Sequence, residues 1–272
     1  MWRYVLKTLR KWVYMIFLLP VLCPAAFEIQ SLNTAGIALG SVSSLYPGLL
    51  NPAVLTPERS FRFHTDYSQL YGIKGLDYYH AGIDYGFIKR KSAGLVFQNL
   101  GNSVYQEKTV TFKFGQDIRN VLSLGLSLNV YNVAISGYQS STAFGLNVGS
   151  VLNLDKQTQL AFLYQNVNNP SICEQTDPLP QCFYFGVRYF PKSSFELYGE
   201  LFKDTEFPFS LRLASVLKPF SFMDIKCGVQ FKPDRFSGGV SVYWRKLSLD
   251  IAVLHHQVLP YTFFYGLGYG FR

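Results

Sequence analysis

The stretch Leu122-Ser123-Leu124-Gly125-Leu126-Ser127-Leu128-Asn129-Val130 alternates without a break. Large apolar side chains take every second position, and serine, glycine and asparagine take the others. A period of two is that of a strand, whose successive side chains point to opposite faces; a helix needs apolar residues three and four apart. The alternation recurs outward from this segment. Phe209, Leu211 and Leu213 face away from Ser210, Arg212 and Ala214; Leu247, Leu249, Ile251 and Val253 face away from Ser248, Asp250 and Ala252. Near the C-terminus Phe263, Tyr265, Leu267, Tyr269 and Phe271 alternate with Phe264, Gly266, Gly268 and Gly270. Turns marked at polar, Gly, Pro and Asn clusters divide residues 59–272 into fourteen expected strands: 59–71, 77–88, 92–99, 105–116, 121–133, 142–154, 159–167, 183–190, 194–203, 207–217, 223–232, 235–245, 247–255 and 262–272. Most have the roughly 9–11 residues that a tilted strand needs to cross a bilayer.

A soluble sandwich also alternates, so the character of the two faces decides between the folds. A sandwich shows water a polar outer face and protects its edge strands with charge or proline. Here one face is apolar and aromatic in nearly every segment. The other carries Gly, Ser, Asn and the charges Arg62, Asp66, Asp84, Glu107, Lys113, Arg188, Glu196, Glu200, Arg212, Asp224, Lys226, Arg245 and Asp250. Facing lipid, each charge would cost roughly 2–4 kcal/mol at the bilayer midplane. Facing inward, both signs can pair across a wet lumen. Closing the sheet also satisfies every backbone N–H and C=O without water, which hydrocarbon demands. The reading is therefore all-β: a transmembrane antiparallel β-barrel of about fourteen strands in a bacterial outer membrane, with outer-membrane lipid as its surroundings. An even strand number places the tight connections near 89–91, 117–120, 155–158, 191–193 and 218–222 on one side, and the long connection at 173–182 on the other. Tyr67, Tyr71, Tyr105, Tyr131, Tyr164, Tyr189, Tyr198 and Tyr261, near strand ends, are expected in interfacial girdles. Cys227, in phase with Ile225 and Val229, is expected against lipid.

Composition agrees with this reading. Of 272 residues, 25 are Lys or Arg and 17 Asp or Glu, for a net charge of +8. Half of that excess is Arg3, Lys7, Arg10 and Lys11, which precede the first acid, Glu28. No dense basic patch remains for nucleic acid. Charged residues make up 15% and aromatics 17%, against about 25% charged in an ordinary domain, which excludes disorder. Residues 1–26 form a secretory signal peptide: the basic start, an apolar stretch at 12–22, and the small residues Cys23-Pro24-Ala25-Ala26, with cleavage expected near Ala25 or Ala26. Of the remaining cysteines, Cys173 and Cys182 bracket a polar, proline-containing loop and are expected to form a disulfide in an oxidising compartment. No histidine lies near either one, which argues against metal binding there.

Residues 27–58 do not alternate. They contain Asn33-Thr34-Ala35-Gly36-Ile37-Ala38-Leu39-Gly40 and, after Ser43-Ser44, Leu49-Leu50-Asn51-Pro52-Ala53. This Gly/Ala-rich stretch ending in Asn-Pro-Ala resembles the N-terminal signature of FadL-type long-chain fatty acid transporters and their PorV/PorQ relatives. The strands Leu122-Ser123-Leu124-Gly125-Leu126 and Phe144-Gly145-Leu146-Asn147-Val148-Gly149, with Gln165-Asn166-Val167, are similar to strands of the PorV/PorQ branch. The resemblance implies a fourteen-stranded barrel, 59–272, with residues 27–58 inside it as a hatch whose characteristic residues are Gly36, Gly40, Asn51, Pro52 and Ala53. The sequence departs from the pattern at Val54, where glycine is common, and in its short loops.

The lumen residues expected to form a polar network are Arg62, His64, Asp66, His80, Asp84, Lys113, Arg188, Glu196, Glu200, Arg212, Arg245 and Asp250. His64 with Asp66 and His80 with Asp84 raise the question of a hydrolase. Catalysis needs a base, an orienting partner and a nucleophile converging at one place, and no motif identifies such a set. There is no phosphate loop, dinucleotide fingerprint or Cys/His metal motif, so neither enzyme activity, cofactor nor metal is expected. The resemblance implies a PorV/PorQ-type role in type IX-like secretion or surface attachment, with secretion-machinery or cargo proteins as partners. Its alternative is FadL-like transport of a hydrophobic small molecule such as a fatty acid.

Overall fold

The computed structural model describes Phe27 and residues 33–46, 50–172, 177–205 and 207–270. The expected signal peptide, Cys23 and Cys173 lie outside these. Fourteen long strands close into one barrel: β1 (Phe61–Gln69), β2 (Asp77–Phe87), β3 (Lys91–Gly101), β4 (Tyr105–Ile118), β5 (Leu122–Ile135), β6 (Ser141–Asn153), β7 (Thr158–Gln165), β10 (Cys182–Lys192), β11 (Phe195–Asp204), β12 (Ser210–Phe220), β13 (Met223–Phe231), β14 (Arg235–Trp244), β15 (Leu247–His256) and β16 (Thr262–Tyr269). Between β7 and β10 lies a two-residue ladder of β8 (Ser171–Ile172) and β9 (Asp177–Pro178). Each long strand pairs antiparallel with its sequence neighbours, and β1 pairs with β16 from Phe63↔Tyr269 to Ser68↔Phe264, which closes the wall. All fourteen expected strands are present. The ladder slips at two places, between Tyr189 and Lys192 and between Leu217 and Phe220. Each contains a proline, Pro191 or Pro219, which has no N–H to donate to the ladder.

Alternation along β5 has the expected sense. Leu124, Leu126 and Leu128 point outward and are exposed, whereas Ser123, Ser127 and Asn129 are buried inside. The outer wall is otherwise built from residues such as Phe112, Phe144, Phe162, Phe185, Leu213, Ile251 and Tyr265. A large exposed apolar surface of this kind is unstable in water and stable in hydrocarbon. Cys227 lies on this wall as an exposed thiol, next to the Ser215 hydroxyl at 3.0 Å.

One rim carries only connections of two to four residues, including the expected tight turns; the opposite rim carries two of three residues, 102–104 and 232–234, and all of the longer ones, the longest being 166–181. Arg245 is a correction. It was expected in the lumen, but β14 ends at Trp244 and Arg245 takes a positive φ of 55° in the turn before β15, exposed on the short-turn rim beside the Trp244 ring. Two of the tyrosines expected in girdles are also corrections: Tyr131 and Tyr198 are buried in the lumen, in phase with Asn129 and Glu196. Tyr105 bonds to the lumen-facing Glu107.

Leu126→Lys, on the outward face of the strand that defines the fold, is expected to lower the unfolding free energy by roughly 2–4 kcal/mol in a bilayer. Urea unfolding from liposomes measures this, with Ser127→Lys as the lumen-facing comparison.

Candidate functional site

A fourteen-stranded barrel is too wide for its own side chains to fill. In this chain residues 33–46 and 50–56 occupy the lumen, almost all of them buried. They begin with a four-residue helix, α1 (Thr34–Ile37), whose N-cap Asn33 accepts a hydrogen bond from Gly36 N at 2.7 Å. From there the segment runs round the inner wall along places where the strands carry glycine instead of a side chain. Thr34 lies against Gly266 of β16, Ala38 against Gly239 of β14, Gly40 against Gly228 of β13, Ser44 against Gly186 of β10, and Pro57 against Gly86 of β2. Gly40 itself takes φ +66°, and a Cβ there would lie 3.0 Å from Val229 N.

The Asn51-Pro52-Ala53 turn lies in this groove. The Asn51 side chain accepts from Ala53 N at 3.0 Å, and its amide donates to Ser44 O at 2.9 Å, so one side chain ties two points of the segment together. Beneath it, Gly115, Gly125 and Gly149 stand in register on β4, β5 and β6. A Cβ on any of the three would overlap Asn51 or Pro52 atoms. In the sequence these glycines are ordinary members of the polar face. Their alignment into a notch depends on strand register.

Buried backbone needs hydrogen-bond partners, and lumen carboxylates supply them. Glu200 Oε2 accepts from Ser43 N at 3.0 Å and Ser44 N at 2.7 Å, while its Oε1 accepts from Arg212 Nη1 at 2.9 Å. The same Arg212 nitrogen donates to Ser41 O at 2.8 Å. Asp66 Oδ1 accepts from Thr34 N at 2.9 Å, and Asp66 Oδ2 lies 3.0 Å from His80 Nδ1. Several other expected lumen charges also pair. Lys113 meets Asp84 at 2.9 Å, Arg188 meets Glu196 at 2.9 Å with Lys218 on the same carboxylate, and Lys226 approaches Asp250 at 3.6 Å. His64, Asp66 and His80 converge on one patch, their ligand-capable atoms within 4.8 Å of one another. Arg62 pairs in register with Asp84 across β1 and β2.

The expected Cys173–Cys182 bridge has one end, Cys173, outside the described residues. Cys182 is a free, buried thiol that shares the lumen phase of Tyr184, and its Sγ lies 3.7 Å from Asp204 Oδ2. Asp204 is its cross-strand partner in β11.

The segment leaves open space on either side of itself. Toward the long-loop rim lies a cavity of about 520 Å³. Its walls are Leu70, Tyr184, Phe202, Leu254 and Phe264, its mouth is formed by Tyr71, Pro180, Phe207 and Pro233 from the connections on that rim, and its floor is Ile37, Ser41 and Ser43. Arg212, Gln230, Asp204 and Arg235 add a few polar groups. The longest connection shapes this mouth. Asn166 Nδ2 donates to Pro180 O at 2.8 Å and Gln181 Nε2 to Asn166 O at 2.9 Å, while Ile172 and Leu179 pack inward against Tyr131 and Val133. Toward the short-turn rim is a smaller chamber of about 190 Å³ lined by Tyr46 and the charged residues Arg62, Arg188, Glu196, Lys218, Asp224 and Lys226. The two chambers differ in chemistry: aromatic and apolar on one side, ionic on the other. The sequence identifies these ionic residues except Lys218, expected in a tight turn, but not the vestibule, whose aromatic residues Tyr184, Phe202 and Phe264 take inward positions usually filled by polar side chains.

No protein-family model and no curated protein matches the sequence. Solved structures do match its fold. The chain is similar to the CymD monoaromatic hydrocarbon channel (TM-score 0.66, 11% identity, 90% of this chain and 98% of that one). It is similar to the Pseudomonas putida toluene transporter TodX (0.67, 10%, 90% and 100%) and to a Pseudomonas aeruginosa FadL homologue (0.66, 12%, 91% and 100%). The chain thus shares the fold of these FadL-like outer-membrane barrels. These likenesses lie on the FadL side of the expected resemblance and lend no support to its PorV/PorQ side.

Gly125→Val is expected to unseat Asn51-Pro52-Ala53 while leaving a heat-modifiable barrel; single-channel conductance in planar bilayers should rise, and an unchanged conductance would show that the notch does not seal the lumen. Glu200→Ala leaves Arg212 buried without its carboxylate and removes the acceptor for two backbone N–H groups, a loss of about 3–5 kcal/mol measurable by urea unfolding.

Proposed function

We propose that this chain is a non-enzymatic outer-membrane channel that takes a small hydrophobic molecule into the long-loop vestibule, with residues 27–58 acting as a hatch between that vestibule and the short-turn rim. The observation that carries the reading is the cavity of about 520 Å³, walled by aromatic and aliphatic side chains and floored by the N-terminal segment. Ligand sites are typically concave, mostly apolar and about 300–1,000 Å³ in volume, with a few polar groups for orientation. The fold shared with hydrocarbon channels agrees with it. On this reading the signal peptide, residues 1–26, directs export and is removed, and the partners are membrane lipid and the apolar ligand. The secretion-accessory reading has no comparable observation behind it.

Purified protein titrated with toluene, followed by calorimetry, tests the assignment. Saturable binding is expected, and Leu254→Trp, which fills the vestibule from its wall, should weaken it at least ~10-fold, in line with the loss of a well-matched apolar pocket. Absence of binding, or binding indifferent to this substitution, would remove the vestibule as the ligand site.

A further inference from the structure

We infer that His64, Asp66 and His80 form a binding site for a transition-metal ion, of which Zn²⁺ suits the ligand set best. His64 and Asp66 are alternate residues of β1 and so share the lumen face; His80 on β2 stands opposite Asp66 in the ladder. Two histidines and a carboxylate are the donors that Zn²⁺ takes in three-ligand sites. All three residues are more than nine-tenths buried, and one ligand atom from each lies within 4.8 Å of the others. Tetrahedral coordination with bonds of ~2.0–2.1 Å places donor atoms about 3.3 Å apart. Asp66 Oδ2 and His80 Nδ1, at 3.0 Å, already stand at nearly that spacing. Only His64 has to approach, and its ring is near: the two imidazole centroids are 4.8 Å apart with the planes inclined by 30°.

Three further features fit an ion. His80 Nε2 is buried with no hydrogen-bond partner, so no protein group competes for that nitrogen's lone pair or N–H. Gly82 faces His64 across the ladder, and a Cβ there would come within 2.6 Å of His64 Nε2; glycine leaves the room in which the imidazole sits. A cavity of about 20 Å³ touches both His64 and Asp66, enough for one water molecule and therefore for the fourth coordination position. Binding displaces the proton shared by Asp66 and His80. Asp66 Oδ1 meanwhile holds Thr34 N, so the ion would anchor the start of α1 to the barrel wall. The inference does not depend on the transport reading, because metal binding is measured with no apolar ligand present.

The full chain, purified in detergent and stripped with chelator, would be titrated with Co²⁺ and Zn²⁺. One equivalent per chain is expected, with the visible bands of tetrahedral cobalt, and His64→Ala or His80→Ala should weaken binding on the order of 100-fold or more, beyond the effect of losing an outer-shell partner. The double variant His255→Ala/His256→Ala, on the long-loop rim, should bind as the parent does. If either site variant fails to fold, zinc X-ray absorption on the unaltered protein decides: two imidazoles at the metal are expected. Coordination by water alone, no uptake, or binding lost only in the His255/His256 variant would overturn the site.

Discussion

Filling the lumen without stranding backbone polar groups is the constraint on which the rest of this structure depends. A closed sheet of fourteen strands satisfies its own N–H and C=O groups but encloses more space than inward side chains can occupy. The N-terminal segment fills that space and brings a second set of buried backbone groups with it. Glu200, Asp66 and Asn51 meet those needs, each with an acceptor atom on a backbone N–H of the segment. Glu200 does most, because one carboxylate carries two N–H groups and an arginine that itself holds Ser41 O. Lumen charges therefore have two roles: they neutralise one another across the wall, and they hold the segment.

Steric fit complements the hydrogen bonds. Glycines on strands from β2 to β16 remove the Cβ atoms that would stand in the segment's way, most clearly in the row Gly115, Gly125, Gly149 under Asn51-Pro52. A glycine in a strand weakens it, and several of those touched by the segment lie beside strong β-formers, such as Gly86 between Tyr85 and Phe87, Gly186 between Phe185 and Val187, and Gly149 after Val148. The wall tolerates them because its stability comes from closure and from the outward apolar face. The groove they leave also divides the lumen, so that an aromatic vestibule and an ionic chamber lie on opposite sides of one short segment.

Much of this was legible in sequence because a period of two is independent of everything distant from it. Parity alone assigned the strands and the inward phase of Arg212, Glu200, Asp84 and Lys113. Parity applied more strictly would also have turned Tyr131 and Tyr198 inward, since they share the phase of Asn129 and Glu196. It fails where a strand ends: Arg245 keeps the inward phase by count, but one residue with positive φ in a turn cancels it. Cys182 shows another limit, because spacing along a loop says nothing about which way the first strand residue after it points.

By itself, then, the sequence determined the strand number, the two faces and the membrane as the surrounding solvent, since side-chain alternation and hydrophobicity are local properties. Only the tertiary structure decided which residues meet. The glycine notch, the Glu200 clamp and the vestibule combine residues far apart in the chain, 171 positions for Ser41 with Arg212, and the His64–Asp66–His80 patch joins residues of two strands. Their meeting depends on strand register and on the path of a segment that has no periodicity to read, because barrel closure brings residues together by their height and position around the wall.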